Sequence, residues 1–447
     1  MAPVTDSVRD VELTCEEDPS KAQASEDEED ETMSTEDATK ERSEEPPPRR
    51  LVLLVMISVV QGYTLVGPLQ HSFKVAMNIA DTGAVGHTFT QAVAFVQWGK
   101  FAMTFGQNFV LSWLTPIQRV YLSMCMMFVG CLIPPIFVYL VQTQWIGVVF
   151  LAYALIGLSL GVYECNFLNV ITPLGPLTKS WAIMGFPGAF AIINVVGFGL
   201  VSFGMPVQVL FWWIVCCIPI GVAIFYHTVP GAAMSSSSSS SGVEAMSPAT
   251  NTQATIWRSL AEWRRWALKL CPFMLANVVG HFVMEGALPA NFNAYNAHYV
   301  PLFGPNENDV LMEKHRYFVV FFVFVGLGDM LSRRAGYCFK LDSYASNIGA
   351  LTFGLVCSCI GMLLTTVGIA VVGWLSAFLA FWGQGFNYAV AAKYIDKFVP
   401  KEHNLAAYSL WMFAGGAGGI LGSTMVDVIR SWICHGHSFQ YECLSHL

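Results

Sequence analysis

The stretch WIGVVFLAYALIGLSLGVYECNFLNVI, residues 145–171, decides the fold class. It is apolar almost throughout and carries one charged side chain, Glu164. A bilayer core is crossed by about 20 apolar residues in a helix. The stretch therefore predicts a membrane-spanning helix. A charge at bilayer depth costs about 2.5–3.5 kcal/mol on insertion scales. Glu164 therefore predicts either a functional role or a structural partner on a neighbouring helix.

Composition agrees with this reading. The 447 residues are 54% hydrophobic and 12% charged, with mean hydropathy +0.52. Soluble globular classes do not have this balance. The net charge of −8 is unevenly spread. Residues 1–50 hold 17 acidic and 6 basic side chains, whereas the rest of the chain holds 14 and 17. The first fifty residues have almost no apolar clusters, so they read as a disordered acidic tail, a place for cytosolic trafficking partners.

Apolar runs predict eleven spans, at roughly 51–72, 88–114, 120–141, 145–171, 180–203, 207–227, 270–291, 317–332, 347–371, 374–395 and 405–429. The predicted organisation is a six-helix bundle over 51–227, a linker over 228–269, a five-helix bundle over 270–430 and a short tail over 431–447. The linker opens with the run Ser235–Ser241 and ends in Trp257, Arg258, Trp263, Arg264, Arg265, Trp266 and Lys269. Its first part is flexible by composition. Its second part reads as an amphipathic helix at an anionic lipid surface. Six helices, a long loop and a second bundle form the layout of an all-α, polytopic, major facilitator-type protein. Basic loop residues concentrate on one side if the N-terminus is cytosolic, which predicts that orientation.

Ionisable side chains inside the spans are the candidate site. Lys100 lies in the second helix with Gln91, Gln97, Gln107 and Asn108. It is either a snorkelling or structurally paired lysine, or a cation facing an anionic substrate group. Glu164 lies in the fourth helix, with Asn166 and Asn169 following. Burial favours the protonated form of such a carboxylate, so it is either a structural hydrogen-bond partner or a proton carrier. His281 and Glu285 are four apart on the seventh helix and share a face. They make either a structural pair or a titrating one. Asp329 and Arg333, also four apart, read as an intrahelical ion pair or a pathway element. Lys393 and Asp396 read as interfacial anchors. Glycines at 185 and 188 and from 415 to 422 predict close helix packing, and Pro187 and Pro219 predict kinks.

No nucleotide-binding loop, nucleophile elbow or zinc helix is present in the sequence, so no catalytic residue, metal or cofactor is expected and an enzyme is not. Nothing predicts a nucleic-acid partner. The expected partners are a small-molecule substrate and membrane lipid. The twelve cysteines show no metal spacing. Cys434 and Cys443 are candidates for a disulfide if they face an oxidising lumen.

The residues Glu164-Cys165-Asn166-Phe167-Leu168, then Ser180-Trp181, Gly185 and Gly188-Ala189, resemble the battenin family of lysosomal membrane proteins. Tyr388, Ile395 and Glu402-His403 before a glycine-rich helix extend the likeness, as does the Gly328…Ser332-Arg333 ending of the eighth helix. Tyr163, Ala182 and Pro187 depart from the family pattern. The resemblance implies a major facilitator-type exporter in lysosomal or vacuolar membrane. That family is connected with glycerophosphodiester egress, basic amino acids and lysosomal pH. It carries over Glu164, Ser180, Trp181, Gly185, Gly188, Glu402 and His403; Lys100 rests on its position alone. A second resemblance is to equilibrative nucleoside transporters, through Asp329-x-x-x-Arg333 and the helix count. Against it, Gln61-Gly62-Tyr63 stands where that family has a Trp-Asn pair. A third reading is a membrane scaffold that does not transport.

Overall fold

The computed structural model describes residues 49–66, 70–79, 84–229, 252–287, 299–304, 310–365, 367 and 369–435. The first predicted span comprises α1 (Val52–Thr64) and α2 (Gln70–Ala76). Then follow α3 (Ala84–Val110), α4 (Pro116–Ile133), α5 (Gly147–Ile171), α6 (Pro176–Ala191) and α7 (Val207–Thr228). A short helix α8 (Thr252–Ala261) leads directly into α9 (Trp263–Phe282). A two-stranded hairpin, β1 (Tyr299–Pro301) and β2 (Leu311–Glu313), pairs Tyr299 with Glu313. Helices α10 (Lys314–Cys338), α11 (Tyr344–Thr365), α12 (Ala370–Phe398) and α13 (Asn404–His435) complete the bundle. The Ser-rich run, most of the acidic tail and Cys443 lie outside the described residues.

Local chemistry explains several boundaries. Thr115 and Gln118 form a reciprocal capping box at the start of α4, with Pro116 in the first turn where its missing N–H costs nothing. Three helices pass into π-helical turns at the same end of the bundle: Pro134–Leu140 after α4, Ile192–Gly197 after α6 and Val283–Ala287 after α9. The first of these begins at Pro134-Pro135, where two amide donors are missing.

Seven helical stretches are long and apolar enough to cross a membrane, among them Gly147–Leu174, Val207–Thr228 and Trp263–Gly286. Among the described residues α3, α10 and α12 do not meet that standard, although each has at least 25 residues. They fall short because they carry Gln97 and Lys100, Asp329 and Arg333, and Gln384, Asn387 and Asp396. The polar helices are thus the ones that carry the candidate site. The eighth predicted span, 317–332, is too short by the structure: α10 runs Lys314–Cys338. Hydropathy stops at Arg333-Arg334, but Arg333 is paired inside the bundle, so the helix continues.

The two groups of helices pack in the same order. The first spanning helix lies against the fifth, the second against the fourth, and the third against the fourth. Likewise α9 lies against α13, α10 against α12, and α11 against α12. The groups meet along a seam where α6 touches α10 and α3 touches α13. We call the end of the bundle that carries the α7–α8 connection the linker face.

Glycines bring the second and fourth helices together. A Cβ on Gly157 would lie 2.2 Å from the Val96 carbonyl oxygen, and one on Gly161 2.5 Å from that of Lys100. The expected packing of Gly185, Gly415, Gly418 and Gly422 is also found, against α1 for the first and α9 for the rest. Gly157→Val is therefore expected to lower stability by about 1–3 kcal/mol through overpacking, read as a lower Tm in detergent. Gly349→Ala, where a Cβ meets nothing within 4 Å, should leave Tm unchanged or raise it.

Candidate functional site

Close approach of α3 and α5 sets two side chains face to face. The Lys100 Nζ lies 3.9 Å from Glu164 Oε2, and both side chains are buried. The ammonium also lies over the rings of Tyr63 (5.4 Å) and Phe186 (5.8 Å). Tyr63 accepts a hydrogen bond from Gln97 Nε2 at 2.8 Å. The second carboxylate oxygen of Glu164 is taken by the other helix group: the Tyr388 hydroxyl of α12 donates to Oε1 at 2.7 Å. Glu164 is thus held by a cation from its own group and a phenol from across the seam.

The same phenol ring carries the second cation. The Arg333 guanidinium lies 4.2 Å from the Tyr388 ring centroid and 5.6 Å from that of Phe186. Cations over aromatic faces gain about 2 kcal/mol or more once desolvated. Arg333 binds Asp329 with two hydrogen bonds, 2.7 Å to Oδ1 and 3.1 Å to Oδ2. Its Nη1 donates to the Ile183 carbonyl at 3.1 Å. That carbonyl is four residues before Pro187, which has no N–H to offer it. The predicted kink residue therefore creates an acceptor, and Arg333 fills it from the opposite group. Gly385 makes room for the pair: a Cβ there would sit 2.3 Å from Asp329 Oδ1.

The structure does not gather all predicted residues here. Lys100, Glu164, Asp329 and Arg333 come together through Tyr388 and Phe186. His281 and Glu285 are half-buried on α9 and its π turn, and Lys100 is the charged neighbour of both. No ion pair joins them among the described residues, because the helix changes pitch at Val283. Asn166 faces away from Glu164: it donates to Gln107 Oε1 and to the Val162 carbonyl inside the α3–α5 contact. Phe167 stacks on Tyr163 at 5.1 Å, and Leu168 is core. Ser180 is buried with its hydroxyl unpartnered, and Trp181 receives Arg50 at 5.6 Å and Arg334 at 5.1 Å on its ring. Gly185 and Gly188 lie along α1 near Met56 and Ile57. Glu402 and His403 stand at the linker face, where His403 Nδ1 lies 2.7 Å from Ser259 Oγ. Arg49 and Arg50, placed in the tail by sequence, belong to the bundle: Arg49 binds Thr178 and the Thr228 carbonyl.

Sequence reasoning missed the second crossing of the seam. Lys179 at the start of α6 is fully buried. Its Nζ reaches Asp396 Oδ1 at 2.7 Å, Tyr408 Oη at 2.8 Å and Thr172 Oγ1 at 2.9 Å. Tyr408 also donates within 3.0 Å of Asp396 Oδ1. Asp396 is therefore a latch on the opposite group rather than an interfacial anchor. Lys393 does serve as an anchor, donating to the Tyr337 and Phe339 carbonyls. Between these two crossings Cys165 Sγ meets Met412 Sδ at 3.1 Å. The seam is closed from the Lys100–Glu164 level towards the linker face.

No family model matches this chain, and no curated protein matches its sequence. Solved structures do match in fold. A peptide transporter POT in complex with alafosfalin is 13% identical over 87% of this chain and 91% of its own, with TM-score 0.54. A bacterial homologue of the iron transporter ferroportin in an outward-facing state is 14% identical over 86% and 96%, with TM-score 0.56. The E. coli fucose:proton symporter is 12% identical over 87% and 98%, with TM-score 0.53. The chain has the all-α, major facilitator-type membrane fold that its layout predicts.

Cys165 is a built-in reporter of the closed seam, because it is fully buried. Removing one member of a buried ion pair costs about 3–5 kcal/mol, and the partial exposure of Asp396 puts Lys179→Ala at the low end. That variant should open the linker face and raise maleimide labelling of Cys165, read by peptide mass spectrometry. Lys179→Arg should keep it protected.

Proposed function

We propose that this chain is a membrane transporter of the battenin type. It exports a small polar solute, of glycerophosphodiester or basic amino acid class, from lysosomes or vacuoles by alternating access. The N-terminus and the linker face are on the cytosolic side. The observation that carries the reading is Glu164, held at once by Lys100 on its own helix group and by Tyr388 on the other. A rocking motion of one group against the other must break the Tyr388 bond. It therefore removes one of the two partners that hold a buried carboxylate. A scaffold has no use for that arrangement.

Lys100 is the cation available to an anionic substrate. Its contact to Glu164 is long, at 3.9 Å, whereas Arg333 is already satisfied by Asp329 and the Ile183 carbonyl. Substrate phosphate at Lys100 would compete with Glu164 for the ammonium and loosen the carboxylate from α3. The battenin resemblance supplies the organelle and the substrate class, and Tyr388, part of that resemblance, is the group that bridges the seam.

The test is efflux of a labelled glycerophosphodiester from proteoliposomes, together with metabolite profiles of acidic organelles with and without the protein. Deficient organelles should accumulate glycerophosphodiesters. Lys100→Ala should slow efflux about tenfold or more, the cost of a charged hydrogen bond worth about 1.5–3 kcal/mol. Unchanged efflux in that variant removes Lys100 from the mechanism. A normal organelle profile with nucleoside uptake at the cell surface would replace this reading with a nucleoside carrier built on Asp329 and Arg333.

A further inference from the structure

Helix α8 and the first turns of α9 lie at the linker face with two chemically distinct sides. Ser259, Trp266, Ala267 and Leu270 are buried. One position earlier in helical register, Arg258, Arg265 and Lys269 are exposed, as are Arg264, Trp257 and Trp263. Trp263 opens a helix that runs on as a candidate membrane span to Gly286. The exposed arginines and tryptophans therefore stand where the bilayer surface must be. Arg264 lies over the Trp263 ring at 5.8 Å, the pairing of cation and aromatic that suits the headgroup layer.

The segment also spans the seam. Trp257 packs on Phe109 of α3 with ring centroids 5.4 Å apart. Ser259 bonds His403 at the start of α13, and Trp266 stacks on the same imidazole. One short helix thus touches both helix groups above the Lys179–Asp396 latch. Glu262 joins the two sides. It pairs outward with Arg258 (3.5 Å) and Arg265 (3.3 Å), and its Oε2 lies 3.8 Å from His403 Nε2.

We propose that α8 and the start of α9 form a docking surface for anionic phospholipid headgroups, and that this docking clamps the linker face shut. Lipid phosphates take Arg258 and Arg265 from Glu262. The helix is then held to the bilayer by charge and to both helix groups by Trp257 and Ser259. In a neutral bilayer the arginines remain on Glu262 and the clamp is looser. Anionic surfaces attract each such residue, and three arginines on one helical segment act together on the occupancy of an open state.

The experiment is hydrogen–deuterium exchange on the full chain in nanodiscs of phosphatidylcholine alone or mixed with phosphatidylglycerol. Anionic discs should slow exchange about tenfold in peptides covering 252–269, and also in 172–182 and 396–408 across the seam. The variant R258Q/R264Q/R265Q should lose the difference between the two discs, and R258K/R264K/R265K should keep it, which separates lost charge from misfolding. Exchange that ignores lipid charge, or a lipid effect that survives in the glutamine variant, overturns the docking surface. Slowing confined to 252–269 overturns the clamp. Slowing reproduced by inorganic phosphate in neutral discs shows a site for a free anion and also overturns the proposal.

Discussion

Pro187 leaves the Ile183 carbonyl without its helical donor, and the guanidinium of Arg333 supplies one from the other side of the seam. A bare carbonyl inside a bilayer costs several kcal/mol, and so does an unpaired guanidinium. Each defect is the remedy for the other. The remaining contacts of Arg333 follow from this position. Asp329 neutralises it from one turn away, Tyr388 and Phe186 cover its faces, and Tyr388 is thereby placed to donate to Glu164. The candidate site is built outward from one proline inside α6.

The crossings of the seam are graded in strength. The latch of Lys179, Asp396 and Tyr408 is short and dense, with three groups within 3.0 Å of one another. The Glu164–Tyr388 crossing is one hydrogen bond, and within its own group Glu164 is held only by the loose pair with Lys100. Interactions of unequal strength along one seam let an event at the weak end precede release at the strong end. Small changes are amplified when packed interfaces have discrete arrangements rather than a continuum.

Much of the fold was legible because lipid imposes a simple rule of length and polarity. Among the described residues each of the eleven predicted spans overlaps a helix, seven of them in stretches long and apolar enough to cross a membrane, and the error at the eighth came from ending the helix where hydropathy falls, at Arg333-Arg334. Lys100 and Glu164 were legible as anomalies in apolar helices. Their partners were not. Tyr388 was noticed only as part of a resemblance, since a tyrosine in a span raises no alarm. Lys179 and Asp396 were missed as a pair because each sits at a helix end and their pairing spans 217 residues. Asn166 is close to Glu164 in sequence but two positions along a helix point to opposite sides. Sequence shows where charge is unusual; the fold shows what answers it.

The shared packing order places polar pairs at matching positions. Lys100 sits on the second helix of its group and meets a partner on the fourth, Glu164. Arg333 sits on the second helix of the other group, α10, and meets a partner on its fourth, Tyr388. Parallel repeats of this kind are related by an axis along the membrane normal. The two cation–partner pairs thus occupy equivalent places in the packing order. One group presents a carboxylate and the other a phenol, and the hydrogen bond between Glu164 and Tyr388 lies where the two groups meet. Two groups that pack alike thus meet through unlike side chains, an acid on one and a phenol on the other, so the seam is chemically asymmetric although its architecture is not.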